Sequence, residues 1–520
     1  MYDILIKNAN ILDGTGRPFF KGSLGIKGGK IADIGNVSGL AKKVIDANGL
    51  FASPGFIDVL THSDVFLNIF NSPKQESFLQ QGITTIIGGN CGASLAPLLG
   101  PKSIESIKKW ADIERVPMDW VKVNEFLNSI KKLHLGVNFG TLAGYSTIRC
   151  AMRKDESESL ENDDLAKISM VLNDALAGGA LGISSGLTLP QKGGVPRAEI
   201  TRLGQIVSKH NKVLSVHLQD EGEGITASIN EILQVAEETG ASVELSHFKI
   251  ISQNTETEDV LSLIQNYADN KVNVNFDIYP YNTLAITLFS LLPKWSQEGG
   301  TQDMMRRLGD LSLRPKIIKD LQKSDIALGE ILLSHVGRNK FFLNKTINEI
   351  ARKDNVSVEE ALLNIILVSN NDAAGFFYTK KEDSISALLK SELALVSSDG
   401  SGIPMTHDTV RNQLVHPRNF GAFPYLLGRY VREEKLLSIE KMIPKITSLP
   451  AKKYGLKGRG FLAKNYFADI CLFDLEHIGS QATFQNPFVY PDGILGVMVG
   501  GDLILWDKKI VGDSHGEVLL

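Results

Sequence analysis

The 520-residue chain is 43% apolar and 22% charged, with a net charge of −4. These are ordinary globular values, and the slightly acidic balance argues against a nucleic-acid binder, which needs a basic stripe to neutralise phosphates. The length calls for one large unit plus an accessory domain, and three cysteines (Cys91, Cys150, Cys471) are too few for a disulfide framework and fit a reducing compartment.

The opening segment MYDILIKNANILDGTG has no basic stretch followed by a long apolar run, so no signal peptide is expected. No apolar stretch reaches membrane-spanning length. The expectation is a cytoplasmic protein with no nucleic-acid or membrane partner. The first fifty residues alternate short β runs with glycine turns (YDILIKNANILDG, GSLGIKGGKIADIG), and the tail does the same (NYFADICLFD, GILGVMVGGDLILWDKKIVGD). Both ends read as antiparallel strands and hairpins. Neither holds enough strands for an independent domain, so residues 1–53 and 455–520 are expected to combine into one small β-sandwich.

From 54 to 454 the pattern changes to short apolar runs separated by helical stretches, the signature of βα units and a parallel sheet. Eight candidate strands follow in order: GFIDVLTH, TTIIGGNC, GVNFGTLAG, ALGISSGL, VLSVHLQDE, SVELSHFK, VNVNFDIYPY and LALVSSDG. The segment ITASINEILQVAEETG supplies a helix between the fifth and sixth. Eight such units predict an α/β fold of the (β/α)8 TIM-barrel type. The gap between strands seven and eight is too long for one helix, so about 283–345 is expected to be an insertion or lid. After strand eight, SGIPMTHDTVRNQLVHPRNFGAFPYLLGRY reads as a long loop rich in His, Arg and Pro.

In such barrels the chemistry sits at the C-terminal ends of the strands. Reading those ends yields His62, Cys91, His217, His247, Lys249, Tyr279 and Asp399. His217 and His247 end adjacent strands, where two imidazoles can meet one cation. Cys91, between glycines that allow close backbone approach, adds a thiolate, and Cys with two His leaves a fourth position open for water, as a hydrolytic metal requires. Each of these residues taken alone fits an ordinary structural role; their clustering at strand ends favours ligation. Asp399, before a glycine at the end of strand eight, is a turn former or the general base. Lys249 and Arg418 offer a cationic pocket, and the planar guanidinium suits a carboxylate.

The strings YDILIKNANILDGTG, PGFIDVLTHSD, GGNCGASLAP, SSGLTLP, VHLQDEG, ELSHFK, DIYPYNT, SSDG, HPRNFGAFPYLLGRYVRE, LPAKKYGLKGRG and NYFADICLFD together make the sequence resemble the N-acyl-D-amino-acid deacylases (D-aminoacylases) of the amidohydrolase superfamily. The resemblance covers essentially the whole chain. It implies a zinc-dependent hydrolase that splits the amide of an N-acyl-D-amino acid, with a tightly bound metal on Cys91, His217 and His247. It also implies Asp399 as general base, and Lys249, Tyr279 and Arg418 as ligands of the substrate carboxylate.

By the same resemblance the second metal draws on a His-x-His pair at strand one together with the strand-eight aspartate, here Asp399, and the first of the pair is here Leu60. His62 remains, a weak second-site ligand at best, so one tight zinc is expected and the second site is weakened or absent. Two other departures are Tyr145, where relatives often carry His, and Gln219, where many carry Arg. Two alternatives remain open: an amidohydrolase acting on another amide (a D-residue dipeptide or a cyclic amide), and a degenerate, non-catalytic relative, for which Leu60 is the support.

Overall fold

The computed structural model describes residues 1–520 except 109–117, 153–159, 187–194, 253, 324–325, 338, 379–381, 406–413 and 514–515. Each of the eight candidate strands contains an observed one. Phe56–Asp58, Ile83–Gly88 and Asn138–Thr141 pair side by side in parallel, and the third continues after Leu142 as Ala143–Gly144. From there Gly182–Gly186, Val213–His217, Ser242–Leu245, Val274–Ile278 and Ala394–Val396 add in sequence order, all parallel. The last strand returns to the first. Thr61 bridges Gly400 in parallel, the His62 N–H donates to the Gly400 carbonyl at 2.8 Å, and the Ser398 N–H donates to Asp58 Oδ1 at 3.0 Å. The parallel strands therefore form a circuit in which first and last are neighbours, and their C-terminal ends share one mouth.

Why the strands sit inside is visible in their composition. Ile83–Gly88 and Gly182–Gly186 are buried at every position, as strands covered on both faces must be. The connecting helices bury one stripe each. Ile225–Thr239 buries Ile225, Ile229, Ile232, Leu233 and Ala236, the i, i+4, i+7 spacing of a core-facing helix. It stops at Gly240, which takes a left-handed φ of 69° and closes the last turn.

Strands from both ends of the chain lie in one nine-stranded sheet. Phe51–Pro54 joins them: it runs parallel to Tyr2–Ile11 on one side and antiparallel to Ile470–Phe473 on the other. The all-antiparallel reading of these ends needs correction, because Ala41–Asp46 also pairs in parallel with Tyr2–Ile11. After the hairpin of Phe20–Lys27 and Lys30–Gly35 the chain crosses back and lies along its own first strand. The pairing path is one continuous sheet.

The segment after strand seven is larger than its sequence suggests. Thr283–Thr287, Leu332–Val336 and Ala373–Tyr378 form an antiparallel sheet with Ala373–Tyr378 in the centre. The insertion therefore runs to Tyr378 instead of 345, since the strand that holds the other two comes last. It has its own apolar cluster, including Leu288, Leu308, Ile331, Leu333, Leu362 and Ile366.

The stretch read as a long loop after strand eight is also corrected in its second half. Arg418–Tyr425 is α-helical and Leu426–Glu433 continues as a π-helical turn. Pro424 inside the helix has no N–H for the ladder, and the wider turn follows directly after it. The first half of that stretch, 406–413, lies outside the described residues. Among the described residues no helix is long and apolar enough to cross a membrane.

Candidate metal centre

Cys91 ends the second strand in the turn Gly88-Gly89-Asn90-Cys91-Gly92. Gly89 has a φ of 74°, and a Cβ there would run into the Leu142 carbonyl. Gly92 has a φ of 78°, and a Cβ there would strike Ser146 Oγ. Only glycine lets the turn lie this close to its neighbours. Ser184 then clamps it from strand four: its hydroxyl donates to the Gly89 carbonyl and accepts the Gly92 N–H at 3.0 Å. Buried Asp64 accepts the Gly89 N–H at 2.7 Å. The thiol is presented by a turn held from two sides.

Cys91, His217 and His247 converge. One donor atom from each lies within 4.8 Å of the others. Cys91 Sγ is 3.3 Å from His247 Nε2, and the two imidazole rings stand edge to face with centroids 4.4 Å apart. A tetrahedral zinc with bonds of about 2.3 Å to sulfur and 2.0–2.1 Å to nitrogen separates its S and N donors by about 3.5 Å. The donor set and its spacing fit such a cation. Burial and the neighbouring His247 press the His217 pKa down to about 3, so its ring is neutral and has a lone pair to offer. Burial raises the Cys91 thiol well above its ordinary value, with the charge of Asp399 adding to the effect.

Three of these residues hold strained backbone. Cys91, His247 and Asp399 have φ values of 52°, 35° and 48°, in the left-handed region that non-glycine residues rarely enter. Such strain persists only where surroundings over-determine it, and it gathers at functional sites. For His247 the restraint is visible: its N–H donates to buried Asp277 Oδ2 at 3.1 Å, and Asp277 Oδ1 accepts from Ser397 Oγ at 2.5 Å. One carboxyl thus ties the sixth-strand ligand to the eighth strand.

Asp399 lies between His62 and Arg418. Its Oδ1 is 3.0 Å from His62 Nε2 and its Oδ2 is 2.8 Å from Arg418 Nη1. Burial disfavours the charge, but Arg418 and His62 outweigh it and hold the carboxyl well below the usual range. The Arg418 guanidinium also lies over the Tyr279 ring, 4.8 Å from its centroid. Arg418 Nε is buried and has no acceptor among the described residues. A planar guanidinium suits a carboxylate.

Sequence reasoning missed Glu221. It follows His217 by four residues, and its Oε1 lies 3.4 Å from His247 Nδ1 while its Oε2 lies 3.1 Å from Lys249 Nζ. Lys249 Nζ lies 3.4 Å from the same His247 Nδ1, so the carboxylate and the ammonium both face this nitrogen, while Nε2 faces Cys91. Burial opposes the Glu221 charge, yet Lys249 and the two imidazoles hold its pKa well down. Burial likewise opposes the Lys249 charge, and Glu221 raises its pKa above the ordinary value. The available signal was a carboxylate in HLQDE, on the same strand mouth as a ligand.

The two departures from the family pattern differ in kind. Tyr145 is buried and donates to Glu199, which also binds Arg149 Nε at 3.0 Å, so it belongs to a packed Tyr–Glu–Arg cluster. Gln219 is half-buried two residues beyond His217. Leu60 is 1% exposed, an apolar side chain two residues before His62.

The mixed α/β fold matches solved D-aminoacylase and hydantoinase structures. The chain superposes with a TM-score of 0.84 and 26% identity, covering 100% of this chain and 99% of the other, on the N-acyl-D-glutamate deacylase of Bordetella bronchiseptica complexed with zinc and a phosphonate inhibitor that mimics the tetrahedral intermediate. A second structure, at TM-score 0.83 and 26% identity over the full length of both chains, is a D-aminoacylase whose binuclear metal center shows one-metal activation and second-metal attenuation. In sequence, the D-aminoacylase of Alcaligenes xylosoxydans xylosoxydans is 28% identical over 100% of this chain and 97% of its own. No protein-family model matches. The chain is a full-length homologue of the D-aminoacylases and N-acyl-D-amino-acid deacylases.

Proposed function

We propose that this protein is a metal-dependent deacylase of N-acyl-D-amino acids, working with one tightly held cation on Cys91, His217 and His247. The observation that carries this reading is the convergence of those three donors within 4.8 Å at the mouth of the strand circuit. We read that circuit as a (β/α)8 barrel, with the terminal strands as its accessory β domain. The thiolate favours zinc among divalent metals.

A divalent metal bound there supplies a water of lowered pKa and a polarised amide carbonyl. The protein residues do the rest. Asp399 takes the proton of the attacking water as the C–O bond forms, then returns it to the amide nitrogen as the C–N bond breaks. His62, at 3.0 Å, orients the carboxylate that does this. Arg418, Lys249 and Tyr279 grip the substrate carboxylate and align the scissile bond. Glu221, 3.4 Å from Nδ1, helps to orient the His247 ring.

Leu60 leaves the second position with His62 and Asp399, and Asp399 is already engaged by Arg418. This supports the reading of a single cation per chain. The shared strain at Cys91, His247 and Asp399 favours a working site over a degenerate one.

The test is a chiral panel of N-acyl amino acids, D-residue dipeptides and cyclic amides, assayed with metal content on the same sample. Hydrolysis restricted to N-acyl-D-amino acids supports the proposal. Turnover of only another amide class moves the substrate, and a metal-loaded protein that cleaves nothing overturns it.

A further inference from the structure

His416 lies outside the donor set, yet both of its ring nitrogens are engaged. Nδ1 accepts the backbone N–H of Arg418 at 3.1 Å, and Nε2 lies 3.1 Å from the Thr283 carbonyl oxygen. An acceptor on one side and a carbonyl on the other define one neutral tautomer, with the proton on Nε2. Only 4% of the residue is exposed, and burial, aided by the Arg418 charge, drives its pKa well below the ordinary histidine value. Asp399 and the Thr283 carbonyl oppose that shift without overcoming it.

The contacts of this ring come from separate parts of the chain. Thr283 opens the first strand of the insertion and Phe376 lies on its central strand; the Phe376 ring meets the imidazole edge-on at 5.4 Å. Phe484, from the C-terminal region, meets it at 5.0 Å, and Tyr281 at 5.2 Å. Arg418 begins the helix Arg418–Tyr425, and no side chain of the N-cap residue, Pro417, satisfies its first N–H groups. His416 supplies that acceptor. Asn419 completes the clasp: its Nδ2 donates to the His416 carbonyl at 2.9 Å, and its Oδ1 accepts the Ser401 N–H at 2.7 Å, two residues beyond Asp399.

We propose that His416 is a positioning residue that seats Arg418 against the 283–378 insertion and so sets the protein's affinity for the substrate carboxylate. This rests on the reading that Arg418 receives that carboxylate. The insertion is thereby part of the binding apparatus without touching substrate through His416 itself.

Two substitutions separate the two bonds. His416→Asn places an amide oxygen near the Nδ1 position and gives up the Thr283 bond. His416→Gln reaches toward Thr283 and gives up the acceptor for Arg418. The expected result is a KM for N-acyl-D-amino acids raised about tenfold by His416→Gln and by a smaller factor by His416→Asn, the scale of one lost hydrogen bond, with kcat little changed in both. An N-acyl amine lacking the carboxylate should be processed equally by all three proteins. Equal losses on both substrates, an unchanged KM in both variants, or a larger defect in the Asn variant overturns the proposal. If the wild type hydrolyses no N-acyl-D-amino acid, the functional reading falls separately. The imidazole is then judged by 15N spectroscopy of the histidines at neutral pH: a single Nε2–H tautomer at His416 supports the positioning role, and an Nδ1–H or doubly protonated ring overturns it.

Discussion

Arg418 and Asp399 form a largely buried ion pair at the mouth of the strand circuit, Nη1 to Oδ2 at 2.8 Å. The pair joins the residue assigned to proton transfer to the residue assigned to the substrate carboxylate. It also sets a guanidinium beside the carboxylate that the sequence resemblance offers to a second metal. On the proposed reading, Leu60 and Arg418 act in the same direction: one offers no donor, the other engages the carboxylate that remains.

Replacing the base should separate chemistry from metal binding. Asp399→Asn keeps the shape and removes the proton acceptor. Hydrolysis should fall by about 10²–10⁴-fold, the usual worth of a positioned acid–base group. Metal content, read by elemental analysis, should match the wild type. Near-normal turnover in this variant would remove Asp399 from its role.

Glu221 should matter to metal affinity although it is not in the donor set. Its Oε1 faces His247 Nδ1 at 3.4 Å. Glu221→Gln retains the volume but weakens the hold on the imidazole, and metal affinity should drop about 10–100-fold. Competition against a coloured chelator measures this directly. An unchanged affinity would mean that the His247 ring is oriented by something else.

Metal loading should release a proton. Burial raises the Cys91 thiol well above its ordinary value in the metal-free protein, while His217 is neutral down to about 3. Cysteine must be a thiolate to ligate, so close to one proton should leave per cation bound near neutrality, and affinity should climb with pH. Calorimetric titration in two buffers of different ionisation enthalpy gives the count. No proton release would contradict ligation by Cys91.

Asp58 should make stability fall with pH. Burial pushes its pKa from 3.8 up to about 7, with hydrogen bonds from Ser398 and Leu60 opposing. The folded state therefore holds a proton that the unfolded chain has lost. The contribution is fully present below the unfolded value and disappears as pH rises through about 7. Asp58→Asn, with no proton to lose, should show a flatter decline in denaturation midpoint between about pH 5 and about pH 8 than the metal-free wild type. Parallel curves for the two proteins would contradict the assignment.

The parts of this architecture that show in the sequence are those where one residue type has one use. Every candidate strand contains an observed strand because, in a βα pattern, a continuous apolar run ending in a polar mouth suits a buried parallel strand and little else. Cys91, His217 and His247 stand out because thiol and imidazole are scarce and fall at strand ends. Glu221 stayed hidden because carboxylates are common, and its approaches to His247 at 3.4 Å and Lys249 at 3.1 Å, which distinguish it from a solvated acid, show only in three dimensions. His416 was hidden because its partners, Thr283 and Phe376, come from distant parts of the chain. The insertion's far boundary was invisible because its central strand, Ala373–Tyr378, is the last of the three in sequence. The helix at Arg418–Tyr425 was masked by its flanking and internal prolines, which local propensity reads as loop.

The central claim is one cation on a thiol and two imidazoles. It is tested most directly by elemental analysis of the purified protein together with X-ray absorption at the metal edge. The expected result is one metal per chain, with one sulfur at about 2.3 Å and two nitrogens at about 2.0–2.1 Å, and no tight metal in Cys91→Ala. Two tightly held metals per chain, or a bound metal without a sulfur neighbour, would contradict it.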